Sequence, residues 1–248
     1  MDTVPHSETV SRANLAAAIT RMRTDDTVLG AAVMRPHTVA VTPMLDGLGP
    51  EVQSVRAVNV ISHRGGGLVG WNTDRPAFAQ ALEDAGYQPR GRSALIVGAG
   101  GAARAAGDAL RTQASRVFVA AQDLEEARSL CYDLDITSGG PTPLGSLSLV
   151  VPKVDLIVNA TPIGSDGESH PFPIEWVTPT QFLFDLVYDP PVTPLVRGAR
   201  ARGARAINGL TMLLYQGLAA FEIWTGTSAP EPAMRAGLQR AIVSRLAP

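Results

Sequence analysis

Residues 94–103 carry the most specific chemical signal in the chain. They read Ala-Leu-Ile-Val-Gly-Ala-Gly-Gly-Ala-Ala, an apolar run followed by the pattern Gly-x-Gly-x-x-Ala. The first glycine lets a chain turn sharply after a strand, the second lets a pyrophosphate approach the backbone, and the small third residue lets a helix pack on the strand. The N-terminus of that helix then offers N–H groups to phosphate. The segment therefore predicts dinucleotide binding by Gly98, Ala99, Gly100, Gly101 and Ala102, and the alternative is a glycine-rich turn without a ligand.

Asp123 is a candidate for choosing between cofactors. It follows a second apolar run, 25 positions after Gly98, near the place where an acidic residue binds a ribose 2′-hydroxyl in this kind of site. A carboxylate there would repel a 2′-phosphate, so the sequence favours NAD over NADP. Asp123 is equally suited to cap the helix predicted from Leu124 onward, and both roles are compatible.

Two further polar segments have a functional and a structural interpretation each. Residues 159–164, Asn-Ala-Thr-Pro-Ile-Gly, follow a third apolar run, where ligands of parallel sheets collect, but they also suit a plain Pro/Gly turn. Asp74 in Asn-Thr-Asp is a candidate general acid/base or an anchor for a substrate hydroxyl. Because Pro76 suits a first helical turn, the residues alone favour a helix cap at Asp74.

The remaining reactive side chains point to no further chemistry. The four histidines, His6, His37, His63 and His170, lack metal-ligand spacing and are expected on the surface or in loops, so no metal site is predicted. No nucleophile-elbow pattern is present. Cys131 is expected to pack inside a helix.

Composition excludes several classes of protein. The chain has 248 residues, 21 basic against 23 acidic, a net charge of −2, and 45% apolar residues. These values predict a globular protein of one large or two modest domains, and they argue against general nucleic-acid binding. No apolar run approaches the length of a membrane span, and the N-terminus does not resemble a signal peptide. We therefore expect a cytoplasmic globular protein.

The elements that must position these residues alternate after residue 90. Strands are predicted over 93–97, 116–120, 156–159, 182–186 and 204–207, with helices over 102–110, 124–132 and 192–202. This alternation is typical of an α/β, Rossmann-type doubly wound parallel sheet. Before it, a helix over 11–23, a strand over 30–33, a hairpin within 55–73 and a helix over 77–85 predict a smaller α/β lobe. Helices over 211–224 and 231–246 end the chain.

Together the motifs resemble the shikimate/quinate dehydrogenase family. The matching segments occur in the family's order, at residues 70–74, 98–104, 159–164, 185–195, 208–216 and 221–226. The family reduces 3-dehydroshikimate to shikimate with NADPH, or handles quinate with NAD. The resemblance implies a substrate lobe of residues 1–75 plus 214–248 and a dinucleotide-binding domain of residues 76–213.

The resemblance also implies roles for single residues. Asn59, Asp74 and Gln216 would hold substrate hydroxyls, and Tyr188 would lie beside the substrate. Three other residues would lie near the nicotinamide: Thr161, Gly209 and Met212.

The departures from the family pattern concern catalysis. The family's Asn-Val-Thr-x-Pro-x-Lys segment is Ala-Val-Met-Arg-Pro-His-Thr here, so Thr38 stands at the position of the catalytic lysine, and Ala32 and Met34 replace two polar residues. Lys153, the only lysine in the chain, lies just before the third predicted strand of the sheet. The family's opening segment is missing, which predicts a truncated lobe. The family's 2′-phosphate-binding segment is replaced by Ala-Gln-Asp at 121–123, again favouring NAD.

These observations lead to two hypotheses about the function of the protein. The first is a nicotinamide-dependent oxidoreductase of the shikimate dehydrogenase type, acting on a shikimate-related or other cyclic hydroxy or keto substrate. Its candidate catalytic residues are Asp74, Tyr188 and Thr38. The alternative is a non-catalytic or redirected dinucleotide-binding protein derived from the same family. A truncated lobe would also leave a sheet edge open, which predicts a homodimer.

Overall fold

The smaller lobe is a four-stranded sheet with helices against it. The computed structural model describes residues 5–246. The elements of this lobe are α1 (Leu15–Thr24), β1 (Gly30–Ala32), β2 (Gly47–Leu48), α2 (Pro50–Val55), β3 (Val60–Arg64) and β4 (Gly67–Trp71). The strand order is β1-β3-β4-β2, with β3 and β4 forming the predicted hairpin. Its core joins the apolar face of α1 to the strands through Leu15, Ile19, Ile61 and Leu68.

The larger domain contains the predicted parallel sheet. Its elements are α3 (Asp74–Asp84), β5 (Ser93–Val97), α4 (Gly101–Arg111), β6 (Arg116–Ala120), α5 (Leu124–Asp133), β7 (Gly139–Pro141), α6 (Leu147–Val150), β8 (Leu156–Asn159), β9 (Phe182–Asp185), α7 (Pro194–Ala201) and β10 (Arg205–Ile207). The six strands are parallel in the order β10-β9-β8-β5-β6-β7. The order reverses between β5 and β8, and ligands of such sheets bind at that point. The Rossmann-type prediction is confirmed.

The first of the two C-terminal helices joins the lobe to the domain. Helix α8 (Leu210–Thr225) lies along α3, and α9 (Glu231–Leu246) follows it. At the end of α8, the Trp224 indole N–H donates to the carbonyl of Ile61 in the smaller sheet at 2.9 Å. The expected domain limits at 75/76 and 213/214 therefore fall inside α3 and α8 rather than in linkers, and that division stays a prediction.

Several short elements escape sequence reasoning. Residues 139–141, Gly-Gly-Pro, have the composition of a turn, yet they pair with β6 as strand β7. Gly139 and Gly140 have φ of 100° and 96°, a conformation that glycine adopts without a Cβ penalty. Helix α2 is also missed because six residues are too few for a helical pattern to emerge.

Two properties of the described residues bear on the expected partners. Strand β1 pairs only with β3 there, so one edge of the small sheet has unpaired backbone groups, as the dimer prediction requires. Between residues 5 and 246, no helix has the length and apolar character that a bilayer span needs.

Asp108 on α4 ties the smaller lobe to the larger domain. Its side chain is 2% exposed and accepts hydrogen bonds from Ser54 of α2, from the Arg75 Nε at 2.8 Å and from the Arg111 Nε at 2.8 Å. Burial alone would raise the pKa of Asp108, but these hydrogen bonds outweigh it and hold the pKa below its ordinary value of 3.8. The contribution of this carboxylate to stability is therefore present above pH 3.8 and lost as the pH falls through the lowered pKa.

We expect Asp108→Ala to lower the free energy of unfolding by about 3 kcal/mol, because it leaves two guanidinium groups without their buried partner. Urea unfolding at neutral pH measures the change. The matched control is Asp26→Ala, which removes an exposed carboxylate and should change stability by less than about 0.5 kcal/mol. Equal effects of the two substitutions would contradict this role of Asp108.

Candidate dinucleotide and substrate site

The glycine turn between β5 and α4 has the shape that a pyrophosphate requires. Gly98 has φ of 120°, and a Cβ there would come within 2.9 Å of the Ala160 carbonyl oxygen. Gly100 is the N-cap of α4 and makes no side-chain cap bond, so the first N–H groups of the helix have no side-chain acceptor. Nothing lies within 4 Å of where a Cβ on Gly100 would be. Open space and N–H donors therefore meet at the start of α4, and the turn fits a dinucleotide phosphate. Ala99 and Ala102 flank these glycines.

Thr38 of the smaller lobe lies against the same turn. A Cβ on Gly101 would be 2.6 Å from the Thr38 Oγ1, so the hydroxyl borders the first residue of α4. Thr38 is 8% exposed, and its carbonyl accepts from the Val58 N–H at 2.7 Å. No hydrogen bond joins Thr38 to Asp74. The smaller lobe thus places Thr38 beside the glycine turn.

A buried network that sequence reasoning missed shapes the carboxyl ends of β8 and β9. Asn159 donates to Asp185 at 2.9 Å, and the Thr193 hydroxyl donates to the same carboxylate at 2.6 Å. All three side chains are 0% exposed. Burial raises the pKa of Asp185 despite these hydrogen bonds and one from the Val187 N–H. The only signal in the sequence is a polar residue at the end of each apolar strand.

Of the three residues expected near the nicotinamide, Thr161 and Gly209 lie in or just beyond this region. The Thr161 hydroxyl donates to the Asn159 Oδ1 at 2.6 Å, so Thr161 forms part of the turn after β8. Gly209 is the N-cap of α8, and its N–H donates to the Val187 carbonyl at 3.1 Å. Met212 is 6% exposed and packs in the core of the larger domain.

Asp123 caps α5, the structural one of its two compatible roles. Its Oδ1 accepts from the Glu125 N–H at 2.9 Å, and the residue is exposed. One carboxylate oxygen is thus engaged by the helix, while the second makes no hydrogen bond within residues 5–246. A contact with a ribose hydroxyl therefore stays a prediction.

Asp74 is not the helix cap that the residues alone favour. Asn72 takes that task, since its Oδ1 accepts the Arg75 N–H at 3.0 Å. Asp74 instead accepts a hydrogen bond from the Asn59 Nδ2 at 2.8 Å, and Asn59 also accepts the Thr73 N–H at 2.8 Å. Burial raises the pKa of Asp74 to about 6, although the bond from Asn59 works against the shift. A carboxyl group with this pKa exchanges protons near neutral pH.

Gln216 and Tyr188 each have a polar group without a partner in the part of the chain that the structure describes. Gln216 on α8 is half-buried, and its Nε2 donates to the Leu213 carbonyl of its own helix at 3.1 Å, leaving Oε1 as an acceptor. Tyr188, in the loop after β9, is 37% exposed, and its hydroxyl makes no hydrogen bond to any described residue. Neither side chain is hydrogen-bonded to Asp74 or Asn59.

The histidines and Cys131 differ in burial and in the elements to which they belong. His37 is 9% exposed, and its Nε2 lies 2.7 Å from the Val10 carbonyl oxygen; His63 belongs to strand β3. His37 lies in the loop after β1, as expected, although the N-terminal segment folds over its ring. The expectation is wrong for His63, because the hairpin carries it into the small sheet, where it is half-buried. Cys131 is buried in α5 as expected, and burial raises its pKa to about 11. Among the side chains that the structure describes, which end at residue 242, no cluster is suited to a metal ion.

Known proteins share both the sequence and the fold. A family model for the shikimate 5′-dehydrogenase C-terminal domain matches residues 209–239. The shikimate dehydrogenase (NADP(+)) of Desulforamulus reducens is 41% identical over 223 residues, which are 86% of this chain and 77% of that protein. The corresponding protein of Moorella thermoacetica is 41% identical over 86% of this chain and 75% of its own length.

Solved structures extend the likeness to the whole fold. The shikimate 5-dehydrogenase of Thermus thermophilus in complex with NADP(H) and shikimate matches with a TM-score of 0.81 and 33% identity, over 94% of this chain and 85% of that one. The quinate dehydrogenase of Corynebacterium glutamicum in complex with NAD matches with a TM-score of 0.80 and 27% identity, over 92% and 84%. The glycine turn, the Asn59–Asp74 pair and these likenesses agree, and the chain belongs to the shikimate/quinate dehydrogenase family.

Proposed function

We propose that the protein is a nicotinamide-dependent oxidoreductase acting on a shikimate-related or other cyclic hydroxy or keto substrate. The observation that carries this proposal is the Asn59–Asp74 pair, with a carboxyl pKa of about 6, in a chain that also has an open glycine turn. The relatives and structures named above support the same reaction class.

Proton transfer falls to Asp74. When bound, the nicotinamide ring accepts or donates the hydride. Asp74 takes the proton from the substrate hydroxyl as the carbonyl forms, and returns it in the reverse direction. Asn59 occupies the Asp74 Oδ1 through a 2.8 Å hydrogen bond, which leaves Oδ2 for the substrate. Thr38 stands at the family's lysine position, but a threonine hydroxyl does not take up a proton near neutral pH, so it does not replace the lysine.

The other site residues bind and orient. The Gln216 Oε1 and the Tyr188 hydroxyl hold substrate hydroxyls, in the places that the family resemblance implies. Thr161, Gly209 and Met212 line the nicotinamide end of the cofactor. Asp123 binds the ribose 2′-hydroxyl with its second carboxylate oxygen and disfavours a 2′-phosphate, so NAD is the preferred cofactor.

A hydride-transfer assay tests the proposal. Purified protein is mixed with shikimate, quinate or aminoshikimate and with NAD or NADP, and the reduced nicotinamide is followed by absorbance. We expect turnover of at least one substrate, with kcat/KM about tenfold higher for NAD than for NADP. A preference for NADP would contradict the role of Asp123, and no turnover of any cyclic substrate in either direction would contradict the activity.

The alternative function is dinucleotide binding without this catalysis. Thr38 favours it, because the chain lacks a lysine where the family transfers its proton. Tight cofactor binding in calorimetry without turnover in the assay would select this alternative.

The site, the net charge and the open sheet edge also bear on the partners of the protein. The small molecule is the partner that the site is built for, and a net charge of −2 disfavours nucleic acid. The open edge of β1 supports a homodimer, for which light scattering should give twice the chain mass of 26.0 kDa. A monomer mass would overturn that part of the proposal.

A further inference from the structure

Thr38 is a mostly buried residue whose hydroxyl has no hydrogen-bond partner among the described residues. The residue is 8% exposed, and its Oγ1 takes part in no hydrogen bond within residues 5–246. Only its carbonyl is engaged, by the Val58 N–H at 2.7 Å and by the Thr42 hydroxyl at 3.5 Å. The Oγ1 atom keeps some access to solvent, so this unpaired hydroxyl is available to a partner from outside the protein.

The hydroxyl points toward one feature, the start of α4. Of the Thr38 side-chain atoms, Oγ1 comes nearest to the Cβ position of Gly101, at 2.6 Å, ahead of its own Cβ at 3.0 Å and Cγ2 at 3.3 Å. The next position, Gly100, has no atom within 4 Å of its Cβ site. Thr38, on the side of the smaller lobe, therefore lies against the first residue of α4, one position after the glycine with open space at its Cβ site.

The charges in that space favour an anion. The first N–H groups of α4 have no side-chain cap, and a helix N-terminus carries a positive partial charge. The Thr38 hydroxyl is a further donor beside these N–H groups. A phosphate bound there would accept hydrogen bonds from the smaller lobe and from the larger domain. A lone helix N-terminus would not define such a site, but here the unpaired hydroxyl of a residue only 8% exposed lies against the first residue of the helix.

We infer that Thr38 is a phosphate-binding residue, whose hydroxyl donates a hydrogen bond to the pyrophosphate of the bound dinucleotide. This inference rests on the proposed function, since it needs the glycine turn to hold a dinucleotide. It gives the residue at the family's lysine position a task in cofactor binding rather than in proton transfer. The cofactor then contacts both lobes, one through Thr38 and the other through α4.

Two substitutions separate the hydroxyl from the packing of the side chain. Thr38→Val keeps the shape and removes the donor, whereas Thr38→Ser keeps the donor and removes the methyl group. Calorimetry with ADP-ribose, which carries the pyrophosphate without the nicotinamide, measures affinity independently of turnover. A hydrogen bond to a charged group is worth about tenfold in affinity, so Thr38→Val should weaken ADP-ribose binding by about tenfold and Thr38→Ser by less than about twofold.

The control is Thr20→Val, which makes the same change on the exposed face of α1 and should leave the affinity unaltered. Thermal unfolding of each variant checks that the lobe remains folded, and the phosphorus resonances of bound ADP-ribose should differ between the wild type and Thr38→Val. Equal affinity of the wild type and Thr38→Val would overturn the inference alone. Failure of the wild-type protein to bind either NAD or ADP-ribose would overturn the proposed function, and this inference with it.

Discussion

Asp74→Asn should lower kcat/KM for the cyclic substrate by about 10³-fold, because general acid/base catalysis contributes 10²–10⁴-fold and asparagine cannot exchange the proton. The substitution keeps the size of the side chain and its bond to Asn59 can re-form through the amide. Dinucleotide affinity should therefore stay within about twofold of the wild type. Steady-state kinetics and calorimetry measure the two quantities separately.

The dependence of kcat/KM on pH in the wild-type protein should follow the titration of Asp74. Oxidation of an alcohol needs the Asp74 carboxylate, so kcat/KM should rise with pH and level off above about 6. Reduction of a ketone needs the protonated acid, so kcat/KM should fall above the same pH. The residual activity of Asp74→Asn should show neither the rise of kcat/KM for oxidation nor its fall for reduction near this pH.

The free energy of unfolding should depend on pH, because the pKa of Asp74 is raised in the folded state. Because the folded-state pKa of about 6 lies above the ordinary value of 3.8, the folded state favours the protonated acid. The free energy of unfolding should thus fall by about 2 kcal/mol as the pH rises between these two values, after allowing for the partial exposure of the group. Asp74→Asn should remove this slope, and Asp26→Asn, at an exposed site, should preserve it. A slope shared by Asp74→Asn would assign the titration to another group.

Gly100→Ala should weaken NAD binding by about 100-fold or more without destabilising the protein. With φ of −75° and ψ of −172°, the backbone of Gly100 is allowed for alanine, and no protein atom lies within 4 Å of the new methyl group. The methyl group would instead occupy the open space before α4, where the second glycine of the motif admits a pyrophosphate. Calorimetry with NAD and thermal unfolding together measure the loss of affinity and the retained fold.

Gly145→Ala is the matched control for this substitution. Gly145 also has nothing within 4 Å of its Cβ position, and it lies outside the glycine turn. Both variants should unfold like the wild type, and only Gly100→Ala should lose the cofactor. Undiminished NAD affinity in Gly100→Ala would show that the turn does not hold the dinucleotide.

Local pattern accounts for the parts of the fold that could be predicted. The strands over 93–97, 116–120 and 156–159 have the predicted bounds, because continuous apolar runs between polar or glycine-containing turns are distinctive of buried parallel strands. The glycine turn is equally local, since its φ angles and close contacts demand the residue types at those positions. Strand β7 cannot be predicted from its own residues, because Gly-Gly-Pro indicates a turn and only the pairing with β6 makes it a strand.

The sequence by itself determined the Rossmann-type domain, the glycine turn and the family, because periodicity, turn chemistry and ordered motifs are properties of neighbouring residues. The tertiary structure decided what individual side chains contact. It joined Asp74 to Asn59 rather than to its own helix, buried Asp185 with its partners, and set the Thr38 hydroxyl against Gly101. Such contacts join side chains on different elements or lobes, and their distances depend on how those elements pack, which no local pattern encodes.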